Sequence, residues 1–173
     1  MSAVSVKESP FSAAEIAHWQ AANYQGIISF VESGYHTRHR EQLPELIELA
    51  QKVESVHKDS QACPVGTAAI LEKIYQDLEM HMRKEEQILF QMIKAGQYGM
   101  ARMPIQVMLS EHDEAEEDLK TLLAVTHNLT LPADACGSWQ ALYDGIAKFV
   151  ADLSQHIYFE NEIFFARVVA ESR

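Results

Sequence analysis

Basic residues are scarce in this 173-residue chain: 14 Lys and Arg stand against 25 Asp and Glu, a formal charge of −11 with the histidines neutral. That balance argues against a nucleic-acid binder, because phosphate binding needs a basic footprint. It argues equally against docking on anionic lipid. Cysteine is scarcer still. Cys63 and Cys136 are too few for a disulfide framework or a CxxC site and read as incidental thiols. Seven Gly and five Pro leave little material for a turn-rich β fold and favour helices. No apolar run approaches the ~20 residues of a spanning helix, and the N-terminus lacks the apolar core of a signal peptide. The expectation is a cytoplasmic protein with one domain large enough to bury a sizeable core.

Histidine is what the chain has in excess. Eight occur, about twice the share of an ordinary chain, and their positions carry the functional reading.

Residues 1–20 read as an N-terminal tail, in which Ser12 and Glu15 fit a capping box for a short helix near 12–18. The domain is expected over 21–173. Its first helical pattern runs from about Tyr24 to His57, with Ile27, Ile28, Val31, Tyr35, Leu43, Leu46, Ala50 and Val53 at spacings of three and four. Pro44 inside it removes a backbone bond and crowds the Arg40 carbonyl, which predicts a kink or break near residues 40–44. A second helix is expected from about Thr67 to Ala95, stopped by Gly96. A third starts near Pro104, a residue suited to a first helical turn, and ends near His127. A fourth spans roughly Ala133 to Val169. Four amphipathic helices with short loops and no period-2 segment predict an all-α fold, an antiparallel up-and-down four-helix bundle.

An internal repeat picks out the site. His81-Met-Arg-Lys-Glu85 and His156-Ile-Tyr-Phe-Glu160 recur at an offset of 75, each followed by Ile and Phe, and His36 matches His112 at an offset of 76. Residues four apart lie one turn apart on one helix face, so each His-x3-Glu offers an imidazole and a carboxylate to one point in a bundle core. Two such helices plus one His from each of the others give His36, His81, His112 and His156 with Glu85 and Glu160. That set exceeds the needs of one divalent ion. It suits a dinuclear centre with bridging carboxylates, and iron above manganese or zinc.

With eight His and eighteen Glu, about 0.8 His-x3-Glu pairs arise by chance, so spacing alone means little. A single His on an apolar stripe is more often a satisfied core residue than a ligand. The repeat separates the candidates. Glu116, four after His112, has no counterpart in it, because Arg40 stands four after His36; it reads as a solvated residue of an acidic run. Glu15/His18 and Glu54/His57 have the Glu-x2-His spacing of ferritin-like di-iron bundles, but lie in the tail and at a helix end. His39, one turn beyond His36, either faces the centre or packs beside it. His127 reads as a helix C-terminal residue that suits the dipole.

At these residues the chain resembles the hemerythrin-like di-iron domain of the repair-of-iron-centres proteins, the ScdA/YtfE type. The resembling segments are Tyr35 to Leu46, His81 to Phe90, Ser110 to Ala115 and His156 to Phe165, within about residues 19–170. The resemblance implies His36, His81, His112 and His156 as terminal iron ligands and Glu85 and Glu160 as bridges. It implies two non-haem iron ions, oxo- or hydroxo-bridged. Family members usually carry an extra N-terminal domain with a Cys-Cys pair, whereas only about 20 residues without cysteine precede the bundle here. Pro often follows the Phe of each His-x3-Glu helix in the family; here Gln91 and Ala166 stand there.

The implied function is a di-iron protein of nitrosative and oxidative stress that helps repair damaged iron–sulfur clusters by donating iron. Its clients would be iron–sulfur proteins or a scaffold, its small ligands nitric oxide or dioxygen, and its state a monomer or homodimer. The alternative is reversible binding or sensing of dioxygen or nitric oxide. A bundle without metal is the bland third reading; six ligand-type side chains facing one core without partners would be costly.

Overall fold

The computed structural model describes residues 9–172, and among them the chain is helical with short connections and no strand. The first helix, α1 (Ala13–Ala21), opens on the capping box expected at Ser12. The Glu15 N–H donates to the Ser12 hydroxyl and the Ser12 N–H donates back to the Glu15 carboxylate at 2.8 Å. The start of the expected tail, residues 1–8, lies outside the described residues. The rest of the tail is packed: Phe11 and Trp19 sit against Phe159, with ring centroids 5.8 and 5.4 Å apart.

Four long helical passages come next. The first joins α2 (Tyr24–Phe30), a π-helical segment Val31–His36 and α3 (Thr37–Val56). The second joins α4 (Thr67–Lys84), a π segment Glu85–Leu89 and α5 (Phe90–Lys94). The third is α6 (Tyr98–Val125), and the fourth joins α7 (Gly137–Tyr158), a π segment Phe159–Phe165 and α8 (Ala166–Glu171).

Pro44 does not break its helix. α3 is continuous through it, and the irregular stretch is the π segment that ends at His36. Leu43, Leu46 and Ala50 are all buried, so packing on both sides of the proline holds the helix where local propensity alone would interrupt it. The third helix begins at Tyr98, six residues before the expected Pro104, which lies inside it. Gly96, at φ 70°, closes a Schellman motif: its N–H donates to the Ile93 carbonyl and the Gln97 N–H to that of Met92, both at 3.0 Å. That turn reverses the chain within three residues, so the new helix starts at once. The fourth helix starts at Gly137 with Cys136 as its N-cap, slightly later than expected.

Cross-helix partners run in opposite numerical order along three helix pairs. Arg40 meets Glu79, Gln51 meets Glu72, and the Glu54 carboxylate accepts from the Ala68 N–H, which ties α3 to α4. Lys84–Glu111 and Lys73–Asp118 tie α4 to α6. Arg38–Asp152 and His57–Cys136 tie α3 to the fourth passage. Two apolar clusters fill the interior. One is built on Leu43, Leu71, Leu122, Trp139 and Phe149, the other on Ile28, Phe90, Ile105, Phe159 and Phe164. A buried polar layer lies between these clusters, made of His36 and His39, His81 and Glu85, His112, and His156 and Glu160.

Candidate metal centre

The residues of that layer converge. His36, Glu85, His156 and Glu160 each bring a ligand atom to within 4.8 Å of the others, and so do His81, Glu85, His112 and Glu160. The two quartets share both carboxylates. All six residues are buried, the glutamates completely.

Helix geometry explains the convergence. His81 lies one turn before Glu85 across the end of α4, and His156 one turn before Glu160 across the end of α7. All three π segments fall on ligand-type residues: one ends at His36, one begins at Glu85 and one contains Glu160. A π turn shifts the residues beyond it around the helix, and such turns collect at functional sites.

The hydrogen bonds orient these imidazoles alike. His36 Nδ1 lies 2.7 Å from Glu86, His81 Nδ1 2.8 Å from Glu111, and His112 Nδ1 2.6 Å from the Asn161 side-chain oxygen. These oxygens only accept, so each Nδ1 carries a proton and each Nε2 faces inward, where a metal or a second proton can occupy it. Arg40 clamps Glu86 through both terminal nitrogens, and Lys84 pairs with Glu111.

This inward set fits a cation. His36 Nε2 and His156 Nε2 stand 3.1 and 3.2 Å from Glu85 and Glu160 oxygens. Yet those two nitrogens and all four carboxylate oxygens complete no hydrogen bond, because the approaches are close but poorly aligned. His81 Nε2 and His112 Nε2 face each other at 3.1 Å, close enough that a single proton or a cation satisfies both. Carboxylates without hydrogen bonds are costly in a buried layer unless positive charge lies beside them.

Without metal, protons on the imidazoles supply part of that positive charge. Burial opposes the Glu85 and Glu160 carboxylates, but the surrounding imidazoles outweigh it and hold both below the usual carboxylate range, Glu160 well below. Burial also opposes protonation of His36 and His81. Glu85 and Glu86 raise His36 to about 9, and Glu85 and Glu111 raise His81 to about 10. His39 goes the other way, pushed by burial and then by His156 down to about 2.

The remaining candidates stay outside both quartets. His39 packs beside the centre, its Nε2 3.2 Å from His156 Nδ1. Glu116 is half-buried on α6 and belongs to neither quartet. His18 is exposed against Trp19. His57 caps the end of α3, with its Nε2 3.1 Å from Cys136 Sγ. His127 lies just beyond the end of α6 at φ 52°. Cys63 is buried. Pattern reasoning missed the outer acceptors Glu86, Glu111 and Asn161. Glu86 and Asn161 carried a signal, since each directly follows the repeated glutamate at the same offset of 75.

A helical protein whose buried centre is a paired His/Glu donor set belongs to the class of helical cation-binding proteins. Residues 32–168 match the family described as "Hemerythrin HHE cation binding domain", and the chain belongs to that family. It is 56% identical over 153 residues to a "Probable iron-sulfur cluster repair protein" of Haemophilus influenzae, covering 88% of this chain and 69% of that protein. It is 51% identical over 152 residues to the "Iron-sulfur cluster repair protein YtfE" of Musicola paradisiaca, covering 88% and 68%. The protein of the same name from Yersinia pseudotuberculosis serotype O:1b is 49% identical over 151 residues, covering 87% and 68%.

Proposed function

We propose that this protein is an antiparallel four-helix-bundle iron protein that holds two iron ions and gives them up for the repair of damaged iron–sulfur clusters. Residues 21–173 form its domain behind an N-terminal tail of residues 1–20. The observation that carries the reading is the sharing of Glu85 and Glu160 by two four-residue donor groups. One quartet would hold one ion through His36 and His156, the other a second through His81 and His112, with both carboxylates between them. Imidazole and carboxylate donors together suit iron. Iron, when bound, supplies a redox-active Lewis-acid centre.

The chain's own groups fit a site that can release its cargo. Each bridging carboxylate has two oxygens free of hydrogen bonds, so it can serve one ion or two. Protons compete with metal for the same nitrogens and oxygens, and His81 already favours its proton strongly in the metal-free protein. A cavity of about 180 Å³ runs past Asp77, Lys84 and Glu111 to His81, His112 and His156. Three of the four imidazoles line it, which supports access to the centre from that side. The same cavity favours a second reading, in which dioxygen or nitric oxide reaches the iron and the protein senses, carries or reacts with it.

The names of the relatives support the first reading: they are called cluster repair proteins. Iron–sulfur proteins or their scaffold are the expected clients, in the cytoplasm. No helix among the described residues is long and apolar enough to cross a membrane.

The test has two stages. Protein purified without oxygen is analysed for iron, where two ions per chain are expected; near-zero iron with intact helices defeats the metal centre. The loaded protein is then mixed with an apo iron–sulfur protein. Iron leaving the bundle as clusters form supports donation, whereas tight retention of both ions moves the protein to the carrier or sensor reading.

A further inference from the structure

The pseudo-repeat breaks at one point, and His39 fills the gap. In the second half, Glu111 immediately precedes His112 and accepts from His81 Nδ1 at 2.8 Å. In the first half the equivalent position, immediately before His36, is Tyr35. A phenol ring there supplies no carboxylate. Instead it stacks on His156, the repeat partner of His81, with centroids 4.7 Å apart and planes 7° from parallel. His156 Nδ1 would be left without an acceptor in a fully buried layer. One turn further along, where the second half has Ala115, the first half has His39.

We propose that His39 is the positioning residue for His156, standing in as a neutral acceptor for the missing carboxylate. The proposal rests on the reading of His156 as a metal ligand. A metal at His156 Nε2 leaves the proton on Nδ1, which lies 3.2 Å from His39 Nε2. His39 then accepts there and carries its own proton on Nδ1, which faces the Gln42 side-chain oxygen at 3.4 Å. The Gln42 amide donates to Asp152 at 2.7 Å, and Arg38 donates to the other Asp152 oxygen at 3.1 Å. Every donor in this line meets an acceptor, so one hydrogen-bond direction is consistent from the buried imidazole to an ion pair at the surface. His39 is itself fully buried, with Phe149 against its ring edge-on, so it has little freedom to turn.

The arrangement pairs the outer partners across the centre. Each quartet has one imidazole backed by a carboxylate, His36 on Glu86 and His81 on Glu111. Each has one backed by a neutral group, His156 on His39 and His112 on Asn161. Outer partners of ligating histidines fix the tautomer and ring orientation, and losing one weakens metal binding about 10–100-fold.

The experiment compares His39→Leu with His39→Gln. Leu fills the space without an acceptor, while Gln brings an amide oxygen to the place of Nε2. Ferrous iron affinity is measured without oxygen by competition with a chelator, and helicity of the metal-free variants by circular dichroism. Leu is expected to weaken the tighter-affected site about 10–100-fold, with Gln within a few-fold of the parent. Equal losses in Leu and Gln, or no loss in Leu, overturn the proposal in favour of simple packing. A second readout needs no variant and no iron. Nitrogen-15 spectra of the metal-free and zinc-loaded parent protein should show His156 protonated on Nδ1 and His39 bare on Nε2; the opposite tautomers overturn the proposal even if Leu fails to fold. A parent protein that binds no iron while showing those tautomers defeats the metal reading and leaves the imidazole pair standing.

Discussion

Replacing Glu85 and replacing His36 should have different stoichiometric consequences, although both look like the loss of one ligand. Glu85 belongs to both quartets and His36 to only one. Glu85→Leu therefore takes each quartet from four donors to three, while His36→Leu leaves the His81, Glu85, His112 and Glu160 group complete. Binding to the folded state alone stabilises by about 2.7 kcal/mol per ion at a free concentration 100-fold above Kd. At this chain length, about 2–4 °C of midpoint accompanies each kcal/mol. Two ions should then raise the thermal midpoint by about 10–20 °C, and one by about half of that.

The assay is anaerobic titration with ferrous iron, followed by scanning calorimetry of each variant with and without it. The parent should take up two ions and show the full shift, His36→Leu one ion and half the shift, and Glu85→Leu neither. Glu160→Leu should behave like Glu85→Leu, and Glu116→Leu like the parent. Leu at position 85 takes from His36 and His81 the carboxylate that favours their protons, so circular dichroism of the metal-free variant is read first to establish that it folds. Retention of one ion by Glu85→Leu at the parent's affinity would refute the sharing argument. Loss of both ions from His36→Leu would refute the independence of the two quartets.

Two further outcomes are expected from the metal-free charges and from the far end of the fourth passage. Without metal, His36 and His81 have folded values of about 9 and about 10, above the ordinary 6.5. Their stabilising charge is fully present below about pH 6.5 and is lost as pH rises through those values. His39 and His156 are depressed, so the unfolded chain gains protons there below about pH 6.5 and stability falls. Glu85 and Glu160 add to that acid loss once pH drops below the ordinary carboxylate value and on through their lowered ones. The metal-free midpoint should thus peak near neutrality, and iron should flatten its alkaline side by occupying both imidazoles; an alkaline limb unchanged by iron refutes their ligation. Separately, the Cys136 thiol is pulled down to about 7 by His57 and by the Trp139 and Ser138 N–H groups that open α7. Burial pushes the Cys63 thiol up. Mass spectrometry after brief iodoacetamide treatment at pH 7 should find Cys136 alkylated first and His57→Leu slowing it, whereas modification of Cys63 first would contradict the geometry.

The helical passages and the convergence of the six side chains were legible because both depend on spacing within one helix. His-x3-Glu places its groups on one face wherever the helix goes; the repeat removed Glu116 from contention, and positions in the tail and at a helix end removed His18 and His57. Helix ends were read less well where packing overrode a local signal. Pro44 is held inside α3 by buried neighbours, and the Gly96 turn starts α6 ahead of Pro104. The π segments left no signature in the apolar periodicity, because an extra residue in a turn is placed by what must face the centre and not by residue type.

The outer partners were the hardest to read, and the repeat shows why. Glu86 and Asn161 follow the bridging glutamates, yet their targets, His36 and His112, lie on other helices at a register that no intrahelical pattern encodes. His39 is the clearest case. Its position one turn after His36 looks like that of a further ligand on the same face, and only the absence of a carboxylate at Tyr35 explains why an imidazole is needed behind His156. A departure from the repeat was therefore as informative as the repeat. The residues that match across the two halves mark what faces the centre. The residue that replaces a match, His39 where the other half has Ala115, marks the place where one half must orient its ligand by different chemistry.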